Sequence, residues 1–482
     1  MFLLSIASLA AGSDTRLVEA VQKQDKQAAL SLIKQHADVN TPLADGTTAL
    51  AWAAHWDDLE MANLLIRAGA SVNAANDYGV TALSLACSNG NAAMVENLLK
   101  AGANANARLL RTGETALMTA ARTGNVDAVK ALLTYKADVN TKETWRGQTA
   151  LMWAVAENHA EAAQALIEHG ADVHARSKNG FTALLFAARV GEVELARILL
   201  GAGADVNEST PDDGSVLVVA SASGHEAFSI FLLDHGANPN SADALGIAPL
   251  HYAMQKGLAD LSAVEYTPAI LPPPDMPALA KALLAHGANP NVRILKDYPA
   301  HSRAPFRQTG QASIVGTTPF FLAAAAGDVE LMRALKLAGA DPLLMLKSNT
   351  TPLMAAAGTG RVQDFLEGEE KNALEAVQFT LELGADVNAF NAKGWTAMHA
   401  AAFTGANTIV QLLAQKGGKV DVKDKIGQTP WSVAEAISPI VNDQGALRLH
   451  KSTSELLLKL GASPLTDSIV HSKYDVAKSP NE

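Results

Sequence analysis

The sequence predicts an all-α solenoid of stacked helix–turn–helix units with projecting turns, and three observations carry that expectation. An apolar anchor recurs at Leu50, Leu83, Leu117, Leu151, Leu184, Leu217 and Leu250, spaced by 33 or 34 residues, and resumes at Phe320, Leu353, Met398 and Trp431. Self-similarity at a fixed period of this size marks repeat architectures. Hydrophobic residues make up 48% of the 482 and charged residues 18%, so burial can order nearly the whole chain. Aromatics contribute only 5%, which leaves Ala, Leu and Val as the main apolar mass and suits closely packed short helices.

At the N-terminus, residues 2–11 read FLLSIASLAA, the length of a signal-peptide apolar region, followed by the polar GSDTR but preceded by no basic segment. As a signal it would be cleaved near Ala10 to Ser13, placing the protein in the periplasm or outside the cell. As a frayed apolar cap it leaves the protein cytoplasmic. No apolar run approaches the roughly 20 residues of a membrane-crossing helix.

Residues 112–140, TGETALMTAARTGNVDAVKALLTYKADVN, show the design of one unit. Gly113 supplies a tight turn, the Thr115 hydroxyl caps a helix over Ala116 to Arg122, and Gly124 ends it. A second helix over Val126 to Tyr135 carries Val126, Val129, Leu132 and Leu133 at spacings of three and four, an apolar stripe. ADVN then leads to the next turn. Helices this short are marginal in isolation, so stacking on neighbours must stabilise them.

G-x-T-A-L, a helix of small residues, Gly, then LL-x-x-GADVN, every 33 residues, resembles the ankyrin repeat. The resemblance covers residues 14–465, with units starting near Asp45, Asp77, Thr112, Arg146, Asn179, Asp213, Leu245, Gly316, Asn349, Gly394 and Gly427 after a helical half-unit at Leu17 to Asn40. Ala replaces the family's usual Pro in TALA, TALS, TALM and TALL, and the TPLH histidine survives at His251 and His399. At residues 215–219, SVLVV lacks the TPL core and Asp213 stands where Gly is usual, so a different helix start is expected there. Proline-containing inserts at 258–275 and 292–315 interrupt one repeat. The expected organisation is a possible signal at 1–13, an N-terminal arm at 14–257, the interrupted repeat at 258–315, a C-terminal arm at 316–465, and a mobile tail at 466–482. Smaller inserts are read at Glu367 to Asn372 and Ser438 to Leu449.

Catalysis requires a nucleophile, a base and a stabiliser, and no HExxH, GxSxG or GxxxxGK[ST] marks such a group. No enzyme activity, metal or cofactor is expected. His169, His235 and His286 each precede the Gly that ends a second helix, a repeated position that points to helix-end carbonyls. A zinc pair of His169 and His174 lacks an evident third ligand. The carboxylate pairs Asp212–Asp213 and Glu369–Glu370 are read as solvated, and the lone Cys87 as a buried inert thiol that excludes an intrachain disulfide.

A formal net charge of -11 offers no general cation field for nucleic acid, and aromatic and polar positions alternating over many repeats point to a protein as the partner of a monomeric chain. The resemblance implies a partner surface on the concave side, built from turn tips and first-helix ends. Carried over residue by residue, it selects His55, Trp56 and Phe403 at helix ends and Tyr78, Trp145, Phe181 and Trp395 at the turns. Arg111, Glu114, Arg122 and Lys178 add charge that would orient a partner. Trp52, Trp153, Phe186 and Tyr252 are expected in the core. The function implied is a non-catalytic protein-interaction scaffold; the alternative is a chaperone or accessory for an exported enzyme, acting through the inserts.

Overall fold

The computed structural model describes residues 14–254, 275–297, 313–361, 364–366, 368–436 and 449–464. The N-terminal segment 1–13, most of the two inserts at 258–275 and 292–315, residues 438–448 and the tail 466–482 lie outside them. The chain divides into two compact blocks, one ending at Thr210 and the other starting at Pro211. Within each, the regular secondary structure of the described residues is almost entirely helical and forms stacked helix pairs.

In the N-terminal block the pairs are α1 (Arg16–Gln22) with α2 (Lys26–Lys34), α3 (Ala49–His55) with α4 (Leu59–Arg67), and α5 (Ala82–Ser88) with α6 (Ala92–Lys100). They continue as α7 (Ala116–Thr123) with α8 (Val126–Thr134), α9 (Ala150–Ala156) with α10 (Ala160–Glu168), and α11 (Ala183–Val190) with α12 (Val193–Gly201). The first helices α1, α3, α5, α7, α9 and α11 pack one on the next, as do the second helices from α4 to α12. The segment at Leu17 to Asn40 is therefore a complete helix pair rather than half of one.

Each first helix starts where the sequence places a hydroxyl. Thr48, Thr81, Thr115, Thr149 and Thr182 adopt extended backbone and accept, at the hydroxyl, the backbone N–H three residues on. Gly124 ends α7 at φ 70°, and a Cβ there would overlap the His159 ring of the next repeat, so Gly is required both for conformation and for space. The spine is equally regular: Leu65, Leu98, Leu132, Leu166 and Leu199, one from each second helix from α4 to α12, are completely buried. Burying a leucine stabilises by about 1.5–3 kcal/mol.

Between the first five pairs, an asparagine at the end of each loop ties one repeat to the next. Asn40, Asn73, Asn106 and Asn140 donate from Nδ2 to the carbonyls of Gly69, Gly102, Lys136 and Gly170. Their Oδ1 atoms accept from the N–H groups of Ser71, Asn104, Asp138 and Asp172. Each side chain so satisfies a carbonyl near a helix C-terminus that has no partner inside its own helix.

In the C-terminal block the pairs are α13 (Val216–Ala222) with α14 (Glu226–Asp234), α15 (Pro249–Tyr252) with α16 (Pro277–Ala285), and α17 (Pro319–Ala326) with α18 (Val329–Leu337). Then come α19 (Pro352–Ala356) with α20 (Glu369–Glu382), α21 (Ala397–Phe403) with α22 (Asn407–Gln415), and α23 (Pro430–Ala434) with α24 (Lys451–Lys459). Two expectations are corrected here. The helix at SVLVV starts in the common register, because Ser215 caps Val218 N–H as threonine does elsewhere and Gly214, at φ 79°, takes the left-handed turn that Asp213 does not. The insert near Glu367 to Asn372 is partly helical, forming the first turn of α20. In that turn Glu369 pairs with Arg361 at 2.7 Å and Glu370 accepts from both the N–H and the hydroxyl of Thr408, so these carboxylates are structural rather than solvated.

Candidate protein-interaction surface

Most turns before the first helices are tight hairpins closed by a backbone hydrogen bond. In most the donor and acceptor are four residues apart, as in Asn76 N–H to Val80 O, Ser177 to Phe181 and Asn391 to Trp395. In two consecutive hairpins of the N-terminal block they are five apart: Leu109 N–H to Glu114 O and Glu143 N–H to Gln148 O. These follow the two 34-residue intervals in the anchor series, so each extra residue sits at a hairpin tip. The lengthened tips push out Leu110, 72% exposed, and Trp145, 70% exposed; Tyr78, 59% exposed, projects from the tip before them.

The tips are joined. Leu110 N–H donates to Tyr78 O at 3.0 Å, Thr144 N–H to Thr112 O at 2.7 Å, and Lys178 N–H to Arg146 O at 2.8 Å, holding successive hairpins side by side. Inside the hairpins a carboxylate or amide side chain caps the turn: Asn76 Oδ1 accepts from Tyr78 and Val80 N–H. In the longer hairpin, Glu143 does this with one more methylene, accepting from Trp145, Arg146 and Gln148 N–H while only 4% exposed.

Residues just after the tip glycine turn inward. Phe181 is 4% exposed, packed on Phe186 with ring centroids 5.4 Å apart and covered by the Arg189 guanidinium at 4.3 Å. It is not a projecting anchor; the pleat points it at the first helix. Trp395 in the C-terminal block is likewise half-buried, with its indole N–H donated to Asp424 at 3.1 Å and its ring 5.9 Å from Phe403, itself half-buried. Glu114 is half-buried, whereas Arg111, Arg122 and Lys178 are exposed. Lys178 donates from Nζ to Thr144 O at 2.6 Å, and Arg122 lies over the Trp153 ring at 5.2 Å.

At the other end of this block His55 and Trp56 are exposed at the close of α3, and Trp52, His55 and Trp56 form one aromatic cluster with centroids 4.6–6.1 Å apart. Trp56 also donates its indole N–H to Gln22 O at 3.2 Å, so it covers the α1–α2 pair while keeping 43% of its surface. Trp52, Trp153, Phe186 and Tyr252, expected in the core, are half-buried. One face of each packs while the other lies on the first-helix surface, because their position follows the inward anchor-plus-one residue by about 100° of helical turn.

The remaining candidates for chemistry have structural partners. His169, His235 and His286 each place Nδ1 at 2.7–2.9 Å from the carbonyl four residues earlier. Burial pushes the Cys87 thiol up to about 12, far from a reactive thiolate. Among the described residues no group of three or more His, Cys, Asp or Glu could hold a metal ion, and no helix is long and apolar enough to cross a membrane.

Comparison with known proteins matches this geometry. A family model described as ankyrin repeats (3 copies) matches residues 17–109, 93–177, 117–210 and 184–266, and one described as ankyrin repeats (many copies) matches 368–414. An ankyrin repeat-containing protein of Schizosaccharomyces pombe, P1E11.10, is 33% identical over 80 residues, covering 16% of this chain. The chain spans 39% of that relative's length. The human ASB11 ankyrin repeat domain is similar at 27% identity, covering 46% of this chain and 98% of its own, with a TM-score of 0.42. With family-model matches over more than half of its length, the chain belongs to the ankyrin repeat family.

Proposed function

We propose that this chain binds a protein partner through the hairpin tips and first-helix ends that would form the concave side of its repeat stack. Ankyrin repeat stacks are non-catalytic scaffolds that generally mediate protein–protein interaction, and this chain is such a scaffold. The observation that carries the choice of face is the run of three successive tips exposing Tyr78, Leu110 and Trp145, held in register by backbone hydrogen bonds. Large apolar side chains on a rigid support lose little entropy on binding and act as anchors. His55, Trp56, Arg111, Glu114, Arg122 and Lys178 would flank these anchors, with Phe181 supporting Phe186 from beneath. In the C-terminal block Trp395 and Phe403 would offer a smaller patch.

Co-purification of the full chain from its native cell, compared with Tyr78→Ser, Leu110→Ser and Trp145→Ser combined, tests this. All three side chains are exposed, so the variant should keep its melting temperature while losing the retained protein. A partner retained equally by both would move the site elsewhere.

A further inference from the structure

Resting on that reading of the tips, we infer that the partner segment held across the hairpins from Arg108 to Lys178 is an acidic peptide carrying large apolar side chains. The chain as a whole is acidic, at -11, yet these hairpins carry more cations than acids. Six cations lie along three consecutive hairpins: Arg108, Arg111, Lys142, Arg146, Arg176 and Lys178, all exposed. None forms an ion pair among the described residues. Most exposed acids of this stretch, Asp127, Glu161, Glu168 and Asp172, sit on the second helices and the loops after them, beside Lys130 and Lys136, while Glu157 lies at the end of α9.

What the cations touch is neutral oxygen. Arg108 donates to the Thr141 hydroxyl at 3.3 Å, Lys142 to Arg176 O at 2.8 Å, Lys178 to Thr144 O at 2.6 Å, and Arg176 to Gly180 O and Ser209 O at 2.8 and 3.2 Å. Most of these bonds cross from one hairpin to the next, so the positive charges are held in place with their fields uncancelled. Two of the carboxylates nearby are otherwise engaged. Glu143 is saturated by backbone N–H groups, and the buried Glu208, which feels Arg176, accepts from the Thr182 hydroxyl; Glu114 is half-buried.

Apolar anchors interleave with this charge. Each lengthened tip pairs an exposed apolar residue with an arginine, Leu110 with Arg111 and Trp145 with Arg146, the latter guanidinium stacking 4.3 Å from its neighbour's ring. A purely phosphate-binding groove has no use for Leu110, and a long polyanion would meet the chain's overall negative field. A peptide with a few carboxylates around one or two large apolar side chains matches both features, with charge complementarity steering it and the tips anchoring it.

Panning the full-length protein with a phage-displayed library of random peptides, then measuring synthetic copies of the selected sequences by fluorescence anisotropy, tests the inference. Asp and Glu should be enriched together with Trp, Phe or Leu. Lys142→Glu, Arg146→Glu and Lys178→Glu combined should weaken binding by about tenfold or more, and the neutral set Lys142→Gln, Arg146→Gln and Lys178→Gln by less, with melting temperatures unchanged. Peptides that require Leu110 and Trp145 yet carry no acidic bias would overturn the acidic preference and leave the protein-binding face standing. Selection of nothing beyond what the Leu110→Ser, Trp145→Ser variant selects would overturn both. A fluorescein-labelled oligo-dT strand binding more tightly than any selected peptide, and released by charge reversal, would reassign the site to nucleic acid.

Discussion

His251 and His399 show how a single residue can lock two repeats of the C-terminal block and make the lock sensitive to acid. In His251, Nδ1 accepts from Ala248 N–H at 3.1 Å and Nε2 faces Thr317 O of the next hairpin at 3.1 Å. His399 repeats the arrangement with Thr396 N–H at 3.2 Å and Gln428 O at 3.3 Å. One nitrogen accepts and the other donates, so the ring is neutral. Burial lowers the pKa of His251 from 6.5 to about 4 and lowers that of His399 in the same direction, with the facing carbonyls opposing the shift. Above pH 6.5 both folded and unfolded rings are neutral and the full stabilisation is present. As pH falls below that, the unfolded ring takes up a proton that folded His251 refuses until about 4, so stability drains away across this window, by roughly 3 kcal/mol if the His251 shift acts in full. Urea unfolding of the full chain at several pH values should show this loss, and His251→Gln should flatten it. An unchanged pH slope in His251→Gln would show that the imidazole does not carry it.

At the scale of the element, the hairpin is where length and side chain are matched. A three-residue tip is held by the short arm of Asn76, Asp243, Asn391 or Asp424, each accepting two backbone N–H groups; the four-residue tip at 144–147 is held by the longer Glu143, whereas the equally long tip at 110–113 follows Leu109. Glu143→Ala should therefore cost about 2–3 kcal/mol, since several hydrogen bonds to a buried charge are lost at once. The check is the urea midpoint followed by circular dichroism, and a change under about 0.5 kcal/mol, typical of an ordinary surface site, would refute the role. The threonine caps, the Gly124 stop and the two helices of each repeat were all legible in the sequence, because they depend on local chemistry. The tips were only partly so. Both 34-residue intervals are plain in the anchor series, but the extra residue could be placed at the tip only once the closing hydrogen bonds were known. Leu110 was missed for that reason. Phe181 was read as projecting because sequence position gives distance from the glycine, not the pleat that turns the following residue inward. The common repeat position of Trp52 and Phe186, one residue past the TPLH histidine, points to the core, whereas the first-helix surface leaves one face of each uncovered.

For the whole molecule, the repeat period makes a sharper demand than helix content does. In the N-terminal block the main helix contacts run within each repeat and between adjacent ones, so stability is a sum of repeat terms and nearest-neighbour interfaces. Removing one full period should then leave a shorter stack with matching faces. Excising residues 117–150 joins Ala116 directly to Leu151 and recreates Thr-Ala-Leu-Met with the Thr115 cap in place. The product should fold, lose helix signal in proportion to the missing α7 and α8, and unfold with a smaller dependence on denaturant because less surface is exposed. Excising about half a period, residues 117–133, instead joins the start of a first helix to the end of a second one, leaving the stripes of α5 and α6 without their partners. That chain should aggregate or show a second, low-stability transition. If the half-period deletion were as stable as the full-period one, nearest-neighbour stacking would not be what holds this block together, and the register of the Tyr78, Leu110 and Trp145 tips would lose its physical basis.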